Sequence, residues 1–439
     1  MTVPITDDTL AAIATATGPG GVGIVRLSGP QAIAIVAETL GLSELGRTVR
    51  VGWARDRAGT RIDQVIAFAM PAPSSFTGED VAELQGHGGA HNLDRLLASV
   101  VERGARIAEP GEFTRRAVAN GKLDLLRAEA LLEVIHAGSE RAWRLAQQNL
   151  GGALGTEVAA LEERALAVLA ELEGSIDFPE DDLETQTAAW IAGELGELRD
   201  RCATLAAGFR RGQAISHGLA VALVGSVNVG KSSLVNALVG SERALVAEEP
   251  GTTRDWLEVR AVWNGIAVTL IDTAGLRDTT DPIERRGIEL GSDRVDKADV
   301  VVVVNDGQAP WNDGVAYRER AVVVRSKVDL GGDARGALPT SAATGEGLDD
   351  LRRRVLEVGG VADREGSEHA LVTTSRQQAL VAAARDALAA ALVTWTARRP
   401  AELVAIELRQ ASQTLAQLRG IEVGERVLDE LFARFCIGK

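Results

Sequence analysis

The segment LAVALVGSVNVGKSS constrains this chain more than any other. An apolar run, Leu219–Val224, delivers Gly225; four residues later come Gly230, Lys231 and Ser232, and SLVNAL opens a helix at once. Glycines let backbone N–H groups curl around a diphosphate, and a helix N-terminus adds its positive end. Lys231 is therefore expected on the β- and γ-phosphates, and the Ser232 hydroxyl on Mg²⁺. Such a strand–loop–helix unit belongs in a parallel sheet wrapped by helices. The runs Ile266–Ile271, Val300–Val304 and Ala321–Val324 supply further strands, expected to alternate with helical segments.

A phosphate loop does not choose between ATP and GTP; the elements after it do. TLIDTAG ends a strand at Asp272 and continues through Thr273, Ala274 and Gly275. An acid there holds Mg²⁺ through water, and a glycine N–H can approach the γ-phosphate. Between the two, PGTTRD offers a hydroxyl of Thr252 or Thr253 to the same ion. In SKVD, Asp329 is placed to accept from the two N–H donors of guanine, which adenine lacks. In SAATGEG, Ser341 and Ala342 lie on a loop able to reach the guanine oxygen. Four motifs in this order describe a GTP-binding domain. Its expected nucleotide contacts are Asn228, Val229, Gly230, Lys231, Ser232 and Ser233 of the first loop, then Ala247, Glu248, Glu249, Pro250, Gly251, Thr252 and Thr253. Asp272, Thr273, Ala274 and Gly275 follow, then Ser326, Lys327, Val328, Asp329, Ser341, Ala342 and Ala343. The expected Mg²⁺ ligands are Ser232 and Thr253.

Two positions depart from the usual pattern. Leu276 follows Gly275 where many GTPases carry a water-orienting Gln. Another acceptor must serve, and DTTDPIERRGIE supplies candidates. Ser326 stands where guanine-binding loops usually have Asn, which puts nucleotide affinity at risk.

At 439 residues the chain is too long for one ordinary core, so two or three domains are expected. Lys and Arg number 47 against 62 Asp and Glu, a net charge of −15, which excludes a generally basic nucleic-acid coat. RNA would have to meet a local patch such as Arg115/Arg116 with Lys122, or Arg210/Arg211. Two cysteines, Cys202 and Cys436, make no disulfide framework, and MTVPITDDTL lacks the basic start of a signal peptide. With no uncharged apolar run of spanning length, the expectation is a cytoplasmic protein without a membrane partner. His87 and His91 flank glycines, and no Cys/His cluster has metal-ligand spacing.

Texture divides the chain into residues 1–120, an α/β stretch with Gly/Pro breaks; 121–212, helical; 217–362, the nucleotide unit; and 367–439, helical again. In the second stretch Val158, Leu161, Ala165, Val168, Leu169 and Leu172 recur at helical steps, and Trp190, Leu195, Leu198 and Leu205 mark another helix. Ser375 and Gln378 read as a capping box, and Pro400 sits where a first helical turn tolerates it. Texture alone leaves two arrangements open: an α/β unit inserted into one helical domain, or a separate C-terminal helical domain.

The chain resembles the MnmE (TrmE) family of bacterial tRNA-modification GTPases, on residues spread along its length: GGVGIVRLSGP, SFTGEDVAELQGHGG, PGEFTRRA, GKLDL, GSVNVGKSSLVNAL, PGTTRD, DTAGLR, IERRGIE and the terminal FCIGK. The resemblance implies a multidomain α/β plus all-α fold: an N-terminal folate-binding and dimerising α/β domain, a helical domain from two chain segments, and an inserted P-loop GTPase domain. It implies a K⁺ held by Asn228, Ala247, Glu249 and Thr252, hydrolysis coupled to pairing of GTPase domains in a homodimer, and Glu284 as the acid that orients water. It further implies a one-carbon tetrahydrofolate, with 5-formyl-tetrahydrofolate as its analogue, at Arg26, Glu79, Lys122 and Lys439, and Cys436 near the chemistry. The implied function is GTP-driven modification of carbon 5 of the wobble uridine of certain tRNAs, with a flavoprotein partner, MnmG, that carries FAD in a heterotetramer. A ribosome-assembly or regulatory GTPase is the alternative. It would need an RNA-binding appendage with a GXXG loop, and none follows residue 365.

Overall fold

The computed structural model describes residues 8–16, 18–177, 185–240, 258–272, 294–308, 310–361 and 370–438. The chain divides into two compact units, Met1–Leu132 with Ala416–Lys439, and Glu133–Leu415.

The first unit is built on a six-stranded sheet of β1 (Leu10–Ile13), β2 (Gly20–Ser28), β3 (Arg50–Arg55), β4 (Arg61–Met70), β5 (Val81–Gly88) and β6 (Arg106–Ile107) in the order β3-β4-β5-β2-β1-β6. All pairs are antiparallel except β1 with β6. Alternation along β4 sends Val65, Ala67 and Ala69 into a core with α1 (Ala32–Leu40) and α2 (Ala90–Val101), closed by Ile35, Val36, Leu93 and Leu96. The opposite face leaves Val51, Trp53 and Ile66 exposed. A second cluster joins α4 (Leu125–His136) to α13 (Glu425–Phe432) through Leu125, Ala128, Leu428, Leu431, Phe432 and Phe435. The chain end then runs to β1: at Gly438 (φ +94°) a Cβ would stand 2.4 Å from the Ile13 carbonyl oxygen.

The second unit holds the nucleotide sheet, β7 (Leu219–Val224), β8 (Glu258–Trp263), β9 (Ile266–Asp272), β10 (Val300–Asn305), β11 (Ala321–Arg325) and β12 (Leu338–Pro339), in the order β12-β11-β10-β7-β9-β8. Only β8 and β9 pair antiparallel. Central β10 is buried on both faces: Val300, Val302 and Val304 enter one core with α9 (Lys231–Val239) and α10 (Leu348–Val358), Val301 and Val303 the other. The expected alternation of strand and helix fails between β8 and β9, which form a hairpin, between β11 and β12, and between β10 and β11. Between β10 and β11 the described residues contain only a 3₁₀ turn, Val315–Arg320, before the parallel partner begins. Gly307, Pro310 and Gly314 break any helical period there, and the Asn305 side-chain amide fixes the loop by donating to the Asn312 carbonyl and accepting from the Asn312 N–H, each at 2.9 Å.

The long helices are α5 (Glu140–Leu150), α6 (Ala153–Asp177), α7 (Thr185–Ala207), α8 (Phe209–His217), α11 (Ser375–Thr396) and α12 (Ala401–Arg419). All six apolar positions named for α6 are buried. α7, before the nucleotide sheet in sequence, packs along α11, which follows it, burying Ile191, Leu195 and Leu198 on one helix and Val381, Ala384 and Leu388 on the other. Helices from the two flanks of the α/β segment thus pack on each other, as an inserted α/β unit requires, while Ala416–Lys439 joins the first unit. The capping box of α11 is one residue earlier than read: Thr374 Oγ1 accepts from Gln377 N, and Gln377 Oε1 accepts from Thr374 N. Thr374 is the residue in extended backbone, as an N-cap must be, whereas Ser375 is already helical. By length and composition α11 would pass for a membrane span, yet it carries Arg385 and Asp386 at its middle.

Candidate functional site

β7 ends at Val224, and Gly225 turns the chain out of the sheet with φ +153°; a Cβ there would lie 2.3 Å from the Val304 carbonyl oxygen, so only glycine fits. Asn228 (φ +65°) and Gly230 (φ +99°) complete the loop before α9. Inside it the Lys231 ammonium donates to the Gly225 and Ser226 carbonyls at 2.8 and 2.9 Å. Burial pushes Lys231 below its ordinary pKa, and the charge of buried Asp272 partly offsets that. Asp272 reaches this spot because β9 pairs with β7 in the register Leu223↔Asp272. Ser232 and Ser233, at the start of α9, are exposed.

The base side forms at the ends of β10, β11 and β12. Ser326 Oγ lies 2.6 Å from the carbonyl oxygen of Val229 and 3.1 Å from that of Asn305, and its one proton goes to the nearer. Lys327 (φ +56°) donates from Nζ to the Asn228 carbonyl at 2.5 Å and to Asp306 Oδ2 at 3.3 Å. Exposed Asp329 accepts from Ser341 Oγ at 2.6 Å through Oδ1, so one carboxylate oxygen is pinned. Ser341 Oγ in turn accepts from the N–H groups of Ala343 and Thr344. The fold therefore gathers Asn228, Val229, Lys231, Ser326, Lys327, Asp329 and Ser341 into one site. Ala247, Glu248, Glu249, Pro250, Gly251, Thr252, Thr253, Thr273, Ala274, Gly275, Glu284 and Lys439 lie outside the described residues.

The first unit carries a second polar cluster. Arg26 and Glu83 face each other across β2 and β5, Nε to Oε1 at 2.8 Å, with the guanidinium 6.0 Å from the Phe113 ring centre. Glu79 accepts from Ser28 Oγ at 2.7 Å and from Arg116 Nη1 at 3.1 Å. Lys122 donates from Nζ to the Pro73 carbonyl at 3.0 Å, its stem 3.2 Å from where a Gly78 Cβ would be. Lys122 thus packs on the loop that carries Glu79, whereas Arg26 is held by Glu83. Sequence reading missed Ser28, Glu83 and the inward role of Arg116. Within PGEFTRRA one Arg must face in and the next out, and Arg116 is 7% exposed while Arg115 pairs with Asp429 at 2.9 Å. Both are engaged by carboxylates, which removes them as free phosphate contacts. Arg210 likewise donates to the Val358 carbonyl. Cys436 is exposed beside the chain end, whereas burial pushes the Cys202 thiol up to about 11.

The MnmE helical domain matches residues 125–436, and the GTP-binding protein TrmE N-terminus matches residues 9–122. The chain is 42% identical over 463 residues to the tRNA modification GTPase MnmE of Symbiobacterium thermophilum, covering 99% of this chain and 100% of that one. To the tRNA modification GTPase MnmE of Moorella thermoacetica it is 41% identical over 467 residues, with 99% and 100% covered. Among solved structures it is similar to the G domain of the T. maritima FeoB iron transporter, 29% identical over 32% of this chain and 98% of that one, with a TM-score of 0.25.

Proposed function

Because the chain belongs to the MnmE family of tRNA-modification GTPases, we propose that its hydrolysis of GTP drives modification of carbon 5 of the wobble uridine of certain tRNAs. The observation that carries the nucleotide half is the joining of two loops: Ser326 and Lys327 bond to the carbonyls of Val229 and Asn228 while Asp329 is oriented by Ser341. A purine read at Asp329 then fixes where its phosphates fall. Asp329 accepts from guanine N–H groups, and the Lys231 ammonium exchanges its two carbonyl partners for phosphate oxygens. Ser232 and Asp272 are hard oxygen donors of the kind Mg²⁺ takes, and Thr253 joins them. When bound, that ion neutralises phosphate charge. Asn228, exposed and at positive φ, offers an amide oxygen to K⁺ together with Ala247, Glu249 and Thr252. Glu284 orients the attacking water in place of the absent Gln.

The tRNA half rests on the first unit. A one-carbon tetrahydrofolate sits at Arg26, Glu79 and Lys122, its amide-like edge on Glu79 and its carboxylates on the cations. Lys439 adds a further cation to this site and Cys436 a thiol; Gly438, between them, lies against the end of β1. The exposed Val51, Trp53 and Ile66 of the open sheet face support homodimerisation there. A flavoprotein of the MnmG kind, with FAD, completes a cytoplasmic heterotetramer that acts on tRNA. We assign residues 1–120 to folate binding and dimerisation, 217–362 to the GTPase, and 121–212 with 367–439 to the helical scaffold.

Mass spectrometry of tRNA nucleosides from a strain lacking this gene tests the proposal. One wobble-uridine derivative should disappear and return with the parent gene but not with Lys231→Ala. An unchanged nucleoside profile would leave a GTPase switch without modifying activity.

A further inference from the structure

We infer that Arg325 is a positioning residue for base recognition: its buried guanidinium staples shut the loop that presents Asp329. Arg325 ends β11 and is 6% exposed, an unusual place for a charge. Its Nη1 donates to the carbonyl of Ser326 at 2.9 Å and its Nη2 to that of Gly331 at 3.2 Å. These are the first and last carbonyls of the six-residue segment Ser326–Gly331, which contains Asp329. One rigid planar fork therefore fixes the width of the loop mouth, which a single-point ammonium cannot do.

The surroundings are shaped for this fork. A Cβ on Gly307 (φ +76°) would stand 2.8 Å from both Cζ and Nη2, and one on Gly332 (φ +108°) would stand 2.7 Å from Nη2. The backbone of Arg325 is fixed as well, its carbonyl accepting from Thr340 N at 2.7 Å and Oγ1 at 3.2 Å, next to Ser341. The strand that carries the fork thus ends between the two groups that must meet, Asp329 and Ser341. Nε is buried without a partner, so the guanidinium is held by the two carbonyls rather than by general satisfaction of its donors. These bonds reach the phosphate loop only through Ser326, whose hydroxyl holds Val229, and a comparison of two diphosphates that differ in the base alone cancels that contribution.

The inference rests on Asp329 as the guanine acceptor proposed above, and the experiment separates the two. Affinities of the full-length protein for GDP and IDP are measured by calorimetry; IDP lacks the 2-amino group that donates to Asp329. Arg325→Met and Gly307→Ala, the second displacing the fork without removing it, should each cut the GDP-over-IDP preference by about tenfold. Arg325→Lys should recover only part of it. Asp329→Asn is the control: if it leaves the preference intact, the reading of Asp329 itself fails. If Asp329→Asn abolishes the preference while Gly307→Ala and Arg325→Lys keep it within a factor of about two, a fraction of one tenfold step, the stapling role is wrong. A fall in thermal stability with an unchanged preference has the same meaning. Should Arg325→Met not fold, Gly307→Ala and Arg325→Lys decide.

Discussion

The hydroxyl of Ser326 donates to the carbonyl oxygen of Val229 across 2.6 Å, so the base-reading and phosphate loops are tied by a side chain as well as by the sheet. At this position Ser does from a short stem what a longer amide would do, because β11 brings the loop against the phosphate loop. Ser326→Ala should therefore weaken GDP binding by about two- to tenfold, the range of one neutral hydrogen bond. Equal affinity for the variant and the parent in calorimetry would show that the tie is idle.

Hydrolysis should depend on Glu284. Leu276 has no group to hold water, and a carboxylate that accepts from the attacking water acts mainly in the transition state. Glu284→Ala is expected to lose about 10²–10⁴ in turnover while binding GTP normally. A turnover within about threefold of the parent, far short of that range, would pass the role to Glu289 or Asp281.

Potassium should stimulate hydrolysis well beyond sodium, and Asn228→Ala should abolish the difference. Rates are compared at saturating Mg²⁺ and GTP in matched ionic strength. Equal rates in the two salts for the parent protein would remove the monovalent site.

The folate site is best tested at Lys122, since Arg26→Ala also strands Glu83, whose side chain is 8% exposed. Both Arg26→Ala and Lys122→Ala should weaken 5-formyl-tetrahydrofolate binding without touching GTP affinity. If calorimetry finds folate affinity unchanged in both, the two cations are structural only: Arg26 a partner for Glu83, Lys122 a tether on Pro73.

Asp63 predicts a pH dependence of stability. Burial pushes its carboxyl up, but hydrogen bonds from the His87 N–H, the His87 ring and Asn92 outweigh that and hold it below the ordinary value. A depressed folded pKa stabilises above the unfolded value of about 3.9 and loses that contribution as pH falls through the folded value. Asp63→Asn should melt lower than the parent near neutral pH, and the gap should close below about pH 4. A gap that stays constant from neutral pH to acid would mean the carboxylate charge contributes nothing.

Much of this was legible in the chain. β7, β9, β10 and β11 are legible as short apolar runs, and Leu219–Val224 matches its observed span, whereas the mixed EVRAVW of β8 and the two-residue β12 carry no such signal. The box at Thr374 was displaced by one because Ser-Arg-Gln-Gln offers two overlapping readings that only the backbone angles separate. Alternation predicts a helix between β10 and β11, but Gly307, Pro310 and Gly314 oppose one there and a 3₁₀ turn forms instead. Arg116 reads as a surface cation and Arg325 carries no signal at all, because nothing local in a sequence marks a buried guanidinium.

By itself the sequence determined the family, the GTP chemistry and four strands of the nucleotide sheet, since phosphate and guanine recognition need particular groups at short spacing along one chain. Tertiary structure alone decided who touches whom at long range. Ser326 meets Val229 from 97 positions away, and Arg116 meets Glu79 from 37. Such pairs come from strand register and helix docking, where burial leaves a polar group no alternative partner in water, and no window of sequence contains both members.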